Sequence, residues 1–291
     1  MLLRQRSRPP QLPKQLLEET PMLLKIPLLT CLVFAAVYPL CFWISAQDPL
    51  KNDFHKFHLG LPNFVGGMAV VGLLFMDVPL SLKIAAVLWK TLFIFLSYRY
   101  WKKGGVNPRL ISVPCVLGII VFQMVQNELA VFPLVRQGLI SLGGEGVRMN
   151  LMSTLAGLIL CSSIFSLNLG HWYLNVHGLP LSHLLRSVKV LQFFLIYRAI
   201  LDAYFLTSHR VFFKGERLML LQFTGHLEGF LLWIAIFFGT VFPLISLYFV
   251  KETLRVKSTQ SATGILYVIL IAVLIGDITY KYYLIQYGIA L

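Results

Sequence analysis

The chain has 291 residues, of which 57% are hydrophobic and only 13% are charged. Its mean hydropathy is +0.76, and a water-soluble core of this size could not bury so much apolar surface. The composition excludes an ordinary soluble enzyme and predicts an all-α fold, a polytopic transmembrane helical bundle.

Basic residues outnumber acidic residues by 25 to 12, which gives a formal net charge of +13. Lys and Arg near the ends of membrane spans set orientation and contact anionic headgroups. No soluble segment is long enough to carry a basic recognition face, so we predict contact with the lipid bilayer and no nucleic-acid partner. The four cysteines lie inside apolar runs without CxxC spacing, which is typical of core residues.

Eight apolar segments follow one another along the chain, and most are long enough to cross a hydrocarbon core of about 30 Å. Residues 1–22 are predicted to be a flexible basic tail, and residues 23–291 a single transmembrane domain. The predicted spans cover residues 23–45, 59–75, 80–101, 111–130, 151–170, 184–207, 218–249 and 262–284. Eight spans place both ends of the chain on one side. The basic tail favours the cytoplasm for that side, whereas the basic loop at 99–109 argues against it.

Ionisable residues inside the predicted spans are candidates for function, because each costs at least about 2.5 kcal/mol at mid-membrane depth. Arg198 and Asp202 stand four residues apart and are predicted to form a structural ion pair. Glu228 and Asp277 have no obvious local partner, so they would pair with Lys90 across helices or remain protonated. A protonated carboxyl can pass protons, which makes these two the candidate catalytic residues. A contact that only fixes helix packing is the alternative.

Five histidines are predicted at one face of the membrane, because four spans separate the first loop from the connector after the fifth span. They are His55, His58, His171, His177 and His183. Neutral imidazole binds haem, copper, iron or zinc, but no HExxH motif or Cys-rich frame accompanies these residues. A metal or haem site and solvated interfacial histidines therefore both stay open. His226 belongs with His209 to the opposite half, too far from His171 to share one porphyrin at about 1.5 Å rise per residue.

Two short strings carry a resemblance to known sequences. LGHWYLN at residues 169–175 and TQSATGILYV at residues 259–268 resemble those of an uncharacterised group of bacterial multi-span membrane proteins. The resemblance implies a bacterial inner-membrane protein and transfers no catalytic residue. In architecture alone, the chain is similar to the quinone-interacting membrane subunits of bacterial respiratory complexes, which also have eight spans and short loops.

These patterns lead to one functional hypothesis. The chain is expected to be a membrane subunit that handles a quinone or a haem b-type electron and proton carrier within a larger redox assembly. Trp172 and Tyr173 would pack on the ligand ring. His171 would donate a hydrogen bond to a ligand carbonyl or bind haem iron, with His55 and His58 at the same face.

Two other classes of protein compete with this hypothesis. A transporter for a small solute or ion would need helices broken near the midplane, for which Pro243 and the glycine pair at 66 and 67 are the candidates. A membrane metalloenzyme would need acidic residues beside the histidines, and Asp48 and Asp53 are the nearest ones.

Overall fold

The computed structural model describes residues 22–45, 54–103, 106–141, 143–176 and 179–291. Eight helices in these segments are long and apolar enough to cross a membrane, as the sequence predicts. They are Met22–Ser45, Phe54–Leu74, Leu80–Trp101, Pro108–Arg136, Gly144–Asn175, Ser182–Ser208, Leu227–Arg255 and Thr259–Tyr287. The chain is therefore a polytopic helical bundle of the multi-pass membrane class. The predicted tail lies outside the described residues except for Met22, which begins the first helix.

Three of the eight spans change their helical winding along their length. The first is the α-helix α1 (Met22–Val37) followed by a 3₁₀ segment (Tyr38–Ser45). The fourth joins α4 (Pro108–Gln126) to α5 (Phe132–Arg136) through a π-helical segment (Asn127–Val131). The seventh joins α9 (Leu227–Ile236) to α10 (Phe242–Arg255) through a second π-helical segment (Phe237–Val241).

The other spans are single α-helices, and α1, α6 and α11 pack against one another. The single helices are α2 (Phe54–Leu74), α3 (Leu80–Trp101), α6 (Gly144–Asn175), α7 (Ser182–Ser208) and α11 (Thr259–Tyr287). Helix α1 packs against α2, α4, α6 and α11, and α11 also packs against α6, α9 and α10. Exposed apolar side chains such as Leu88 and Phe95 on α3 face outward, where lipid would solvate them.

The predicted start of the seventh span is wrong by about nine residues. Residues 210–219 form a β-hairpin of β1 (Arg210–Phe213) and β2 (Glu216–Met219), and a short helix α8 (Leu220–Phe223) follows before α9 begins. Lys214 and Gly215 make the turn with φ of 49° and 90°. Both values lie in the left-handed region that two-residue hairpin turns require, and glycine adopts it without strain.

The predicted end of the fifth span is also wrong. Helix α6 continues through Asn175, so HWYLN is its last turn and a half and not a connector. The rings of Trp172 at this end and Phe54 at the start of α2 lie 5.5 Å apart. We call this end of the bundle the His171 end and the opposite end, where Arg148 lies 2.9 Å from His209, the His209 end.

Candidate functional site: a lateral cleft and a buried charge cluster

An open-sided cleft of about 540 Å³ lies where the first, fifth and sixth spans meet, in the half of the bundle toward the His171 end. Most of its wall is apolar, and its cationic residues are Arg186 and Lys189 of α7. The apolar wall includes Val37, Leu40, Leu158, Val190 and Phe194. We call this cavity the Arg186 cleft. Its size and its few polar groups are typical of small-molecule sites.

The local sequence explains the shape of the Arg186 cleft. Arg186 and Lys189 stand three residues apart on α7, which places both side chains on one helix face. The opposite wall is the 3₁₀ segment Tyr38–Ser45, which winds more tightly than an α-helix and so shifts its side chains around the axis. Arg186 Nη1 donates to the carbonyl oxygen of Ile44 at 3.2 Å and ties the two walls together.

Most polar groups in the Arg186 cleft already have partners within the protein. Trp43 Nε1 donates to Ser112 Oγ at 2.9 Å, and Ser162 Oγ donates to the carbonyl oxygen of Leu158 at 2.7 Å. Lys189 is exposed, and its ammonium forms no hydrogen bond or ion pair with the residues that the structure describes. Lys189 is therefore the group best able to donate to a ligand.

A second polar feature is a cluster of four buried charges in the bundle core. Arg198 Nε lies 2.9 Å from Asp202 Oδ1 on α7, and Asp277 is paired with Lys281 on α11. All four residues are at most 3% exposed. Removing such charges from water costs several kcal/mol for each ion, so only close pairing and further hydrogen bonds make the cluster tolerable.

Hydrogen bonds connect these pairs to three other spans. Asp202 Oδ2 accepts from Thr240 Oγ1 at 2.8 Å and from the Tyr280 hydroxyl at 3.0 Å. The Arg198 guanidinium carbon lies 4.0 Å from the centre of the Tyr280 ring. Arg198 also donates to the carbonyl oxygens of Met152 and Leu291. On the other pair, Thr30 Oγ1 donates to Asp277 Oδ2 at 3.2 Å.

No protein-family model, curated protein or solved structure matches this chain. The chemistry of the cleft and of the charge cluster is therefore argued from their own residues. The resemblance carried by LGHWYLN and TQSATGILYV, and the architectural analogy to quinone-interacting subunits, stay predictions.

The predicted ion pair of Arg198 with Asp202 is present, but two other expectations about buried charges are wrong. Glu228 is not a buried carboxyl, because it lies in the first turn of α9 with its side chain 37% exposed, 2.9 Å from Lys214 Nζ. Asp277 is buried as expected, yet its partner is Lys281, four residues along the same helix. The four-residue spacing that predicts the pair of Arg198 with Asp202 also predicts the pair of Asp277 with Lys281.

Lys90, the predicted partner of those carboxyls, contacts neither of them. Its Nζ donates to Asn63 Oδ1 at 2.9 Å and to the carbonyl oxygen of Pro62 at 3.5 Å. Both acceptors are neutral groups on α2, so this buried cation joins α3 to α2 and takes no part in the charge cluster.

Four of the five histidines predicted at one face, His55, His58, His171 and His183, belong to helix ends at the His171 end of the bundle. His58 is enclosed, with Nδ1 2.7 Å from the Tyr38 hydroxyl and its ring centre 3.9 Å from that of Phe54. The ring centres of Phe165 and Phe57 lie 5.0 and 5.3 Å away, which leaves no gap for a porphyrin over His58. His55 and His183 are buried, His171 is exposed, and His177 lies outside the described residues. Among the described residues, no three His, Cys, Asp or Glu side chains are grouped to hold a metal.

The residues predicted to pack on a ligand ring make protein contacts and do not line the Arg186 cleft. Trp172 packs edge-on against Phe54. The Tyr173 hydroxyl donates to the carbonyl oxygen of Pro180, which closes the connection from α6 to α7. Their described contacts are therefore with the protein itself, and their predicted role at a ligand ring stays a prediction.

Two spans with a π-helical segment share a sequence feature at the point where the segment ends. Each π-helical segment ends at the valine of a Val-Phe-Pro-Leu sequence, at residues 131–134 and 241–244, and its proline is the second residue of the α-helix that follows. Proline lacks an N–H and clashes with the preceding turn, which favours such a widened turn. The sequence predicts a break at Pro243 and none at Pro133. Thr240, which donates to Asp202, lies in the second of these segments.

Proposed function

We propose that the chain is an inner-membrane subunit that binds a quinone-type carrier in the Arg186 cleft and acts within a larger redox assembly. The observation that carries the proposal is the cleft itself, with about 540 Å³ of largely apolar space and a cationic group at one end. A quinone has two matching parts, a ring with two polar carbonyl oxygens and an apolar isoprenoid tail. Ligand sites usually measure about 300–1,000 Å³, so the ring and the first part of a tail would fit.

The residues of the cleft would bind and polarise such a ring. Lys189 would donate to one carbonyl oxygen, and the positive charges of Lys189 and Arg186 would stabilise the negative charge that develops when the ring is reduced. The tail would follow the apolar wall past Leu158 and Phe194 toward the membrane centre. Reduction to the quinol takes two electrons, which a partner subunit would supply, and two protons, which would come from the aqueous phase beside the exposed Lys189.

Filling the Arg186 cleft should remove the bound quinone. Val190→Trp is expected to lower the quinone that copurifies in mild detergent by about tenfold, which corresponds to about 1.4 kcal/mol. The indole would occupy the space that the ring needs. Solvent extraction, chromatography and an absorption spectrum measure the quinone content. Val116→Trp, at a 55% exposed valine on α4, is the matched control and should keep the wild-type content.

Lysine variants locate the polar end of the ligand. Lys189→Leu should lower quinone content, whereas Lys102→Leu, at an exposed lysine outside the cleft, should not. A quinone signal that survives Val190→Trp but disappears in His171→Ala would move the site back to the HWYLN turn. Wild-type protein without any quinone would contradict the proposal.

A transporter for an ion or small solute is the second candidate, and the broken spans favour it. The π-helical segment at Phe237–Val241 touches the charge cluster through Thr240, and π-helical turns occur frequently at functional sites. Charged residues inside a membrane domain often mark ion or proton pathways, which would include Asp277.

Proteoliposomes test the transporter candidate. If the charge cluster carries protons, Thr240→Val should change proton flux, followed with a trapped pH-sensitive dye, by about tenfold because Asp202 loses one donor. Thr207→Val is the control, since the Thr207 hydroxyl is exposed and donates to carbonyl oxygens of its own helix. Wild-type vesicles no leakier than protein-free vesicles would reject proton transport.

A further inference from the structure

A second apolar groove of about 560 Å³ runs between α6 and α7 in the half of the bundle toward the His209 end. Leu158 and Phe194 line both this groove and the Arg186 cleft. Arg148 also lines the groove and does not line the cleft. We call this second cavity the Arg148 groove. The inference drawn from Arg148 does not rest on the proposed quinone site.

Arg148 is a cation with neutral partners. Its Nη2 lies 2.9 Å from His209 Nε2, and its guanidinium carbon lies 5.1 Å from the centre of the Phe205 ring. Its buried Nε has no hydrogen-bond partner in the described part of the chain. The carboxylate of Glu145, one helical turn away, accepts from the Ser141 N–H at 2.6 Å. Within the described residues Arg148 forms no ion pair.

His209 supports this charge arrangement. Burial, with the adjacent Arg148 charge as the next cause, lowers the pKa of His209 to about 4. At neutral pH the imidazole is therefore uncharged and can accept a hydrogen bond from Arg148. An uncharged imidazole cannot neutralise the Arg148 guanidinium.

Arg148 lies near one end of its membrane-spanning helix. Arg148 is the fifth residue of α6, so it lies at the membrane edge of that span. The hairpin that follows His209 pairs Arg210 with Met219 and Phe212 with Arg217 across its strands. These four residues form one exposed face that mixes cations with apolar side chains, an arrangement suited to the headgroup region.

We propose that the Arg148 groove binds one anionic phospholipid, with its phosphate on Arg148 and an acyl chain along Leu151, Leu155 and Phe193. Guanidinium presents a planar fork of donors that matches two phosphate oxygens. The Glu145 carboxylate acts on Arg148 electrostatically but forms no ion pair with it among the described residues. The walls of the groove are mostly apolar where the acyl chain of the lipid would lie. Charge complementarity at one end and apolar length at the other favour a lipid over a neutral ligand.

Native mass spectrometry of the purified protein tests this proposal with phosphatidylglycerol and phosphatidylcholine as probes. Wild-type protein should retain one phosphatidylglycerol in preference to phosphatidylcholine, and inorganic phosphate at the same concentration should not displace it. Arg148→Leu is expected to lower this retention by about tenfold, while Arg148→Lys should keep part of it. Arg109→Leu, at an exposed arginine near the His171 end, is the charge-matched control.

Substitutions that fill the Arg148 groove distinguish a bound lipid from other occupants. Leu151→Trp should reduce phosphatidylglycerol retention, and Leu88→Trp, at a 65% exposed leucine on α3, should not. Equal retention of both lipids by wild-type protein would overturn the proposal, as would an unchanged Arg148→Leu variant. A mass shift from dimer to monomer in Leu151→Trp would instead assign the groove to a second copy. Quinone content should be unaffected in Arg148→Leu, so this result is separate from the proposed function.

Discussion

Arg198→Leu is expected to lower the free energy of unfolding by about 3–5 kcal/mol. The substitution leaves the Asp202 carboxylate 2% exposed without its cation, while Thr240 and Tyr280 still donate to it. It also removes the hydrogen bonds from Arg198 to the carbonyl oxygens of Met152 and Leu291. Unfolding of the detergent-solubilised protein, followed by circular dichroism, measures the loss.

Two controls distinguish a stranded charge from lost packing. The double variant Arg198→Leu/Asp202→Leu should recover part of the stability, because no unpaired carboxylate remains in the core. Lys214→Gln, at the exposed pair with Glu228, should change little, since surface pairs contribute about 0–1 kcal/mol. If Arg198→Leu unfolds like the wild type, the cluster does not stabilise the bundle and a functional role for its charges gains support.

Gly276→Val is expected to abolish most of the correctly folded protein. A Cβ atom at Gly276 would lie 2.2 Å from Gly239 Cα and 2.5 Å from Gly239 N. Both are backbone atoms of the seventh span, so no side-chain rotation can relieve the overlap. The helices must separate, and the polar contacts beside them, at Asp277 and Thr240, would be strained or broken.

Gly264→Val is the matched control for this substitution. Gly264 lies on the same helix, α11, and an added Cβ there meets nothing within 4 Å. The yield of monodisperse protein in gel filtration and its melting temperature should stay near those of the wild type for Gly264→Val. They should collapse for Gly276→Val. Similar behaviour of the two variants would show that the close helix crossing is not required for folding.

The eight-span fold was predictable because hydrophobic length is a local property of the sequence. The predicted bounds are wrong where apolar residues pack outside a membrane span. Leu218 and Leu220 look like the start of a span, yet Lys214 and Gly215 set a hairpin turn, and these leucines pack beside it. The helical end of α6 was missed because His171 and Asn175 are polar, although they continue the last turn of that helix at the membrane edge.

The site was harder to predict than the fold because it depends on which helix faces meet. Arg186 and Lys189 could be recognised as interfacial charges. That they face a cleft follows from the 3₁₀ winding of Tyr38–Ser45, which no local pattern in that segment indicates. The ion pair of Asp277 with Lys281 could be predicted from the sequence, because the two residues have the same four-residue spacing as Arg198 and Asp202. Glu228 is predicted to be buried because the predicted seventh span starts at residue 218. The helix begins at Leu227, so Glu228 lies in its exposed first turn.

The two buried ion pairs also decide how the bundle core responds to an electric field. Moving one elementary charge across the whole membrane against a potential of 100 mV changes its energy by about 2.3 kcal/mol. In each pair, however, the two opposite charges sit one turn apart on a single helix, so the forces on them nearly cancel. A membrane potential would therefore exert little net force on these two helices through their paired charges.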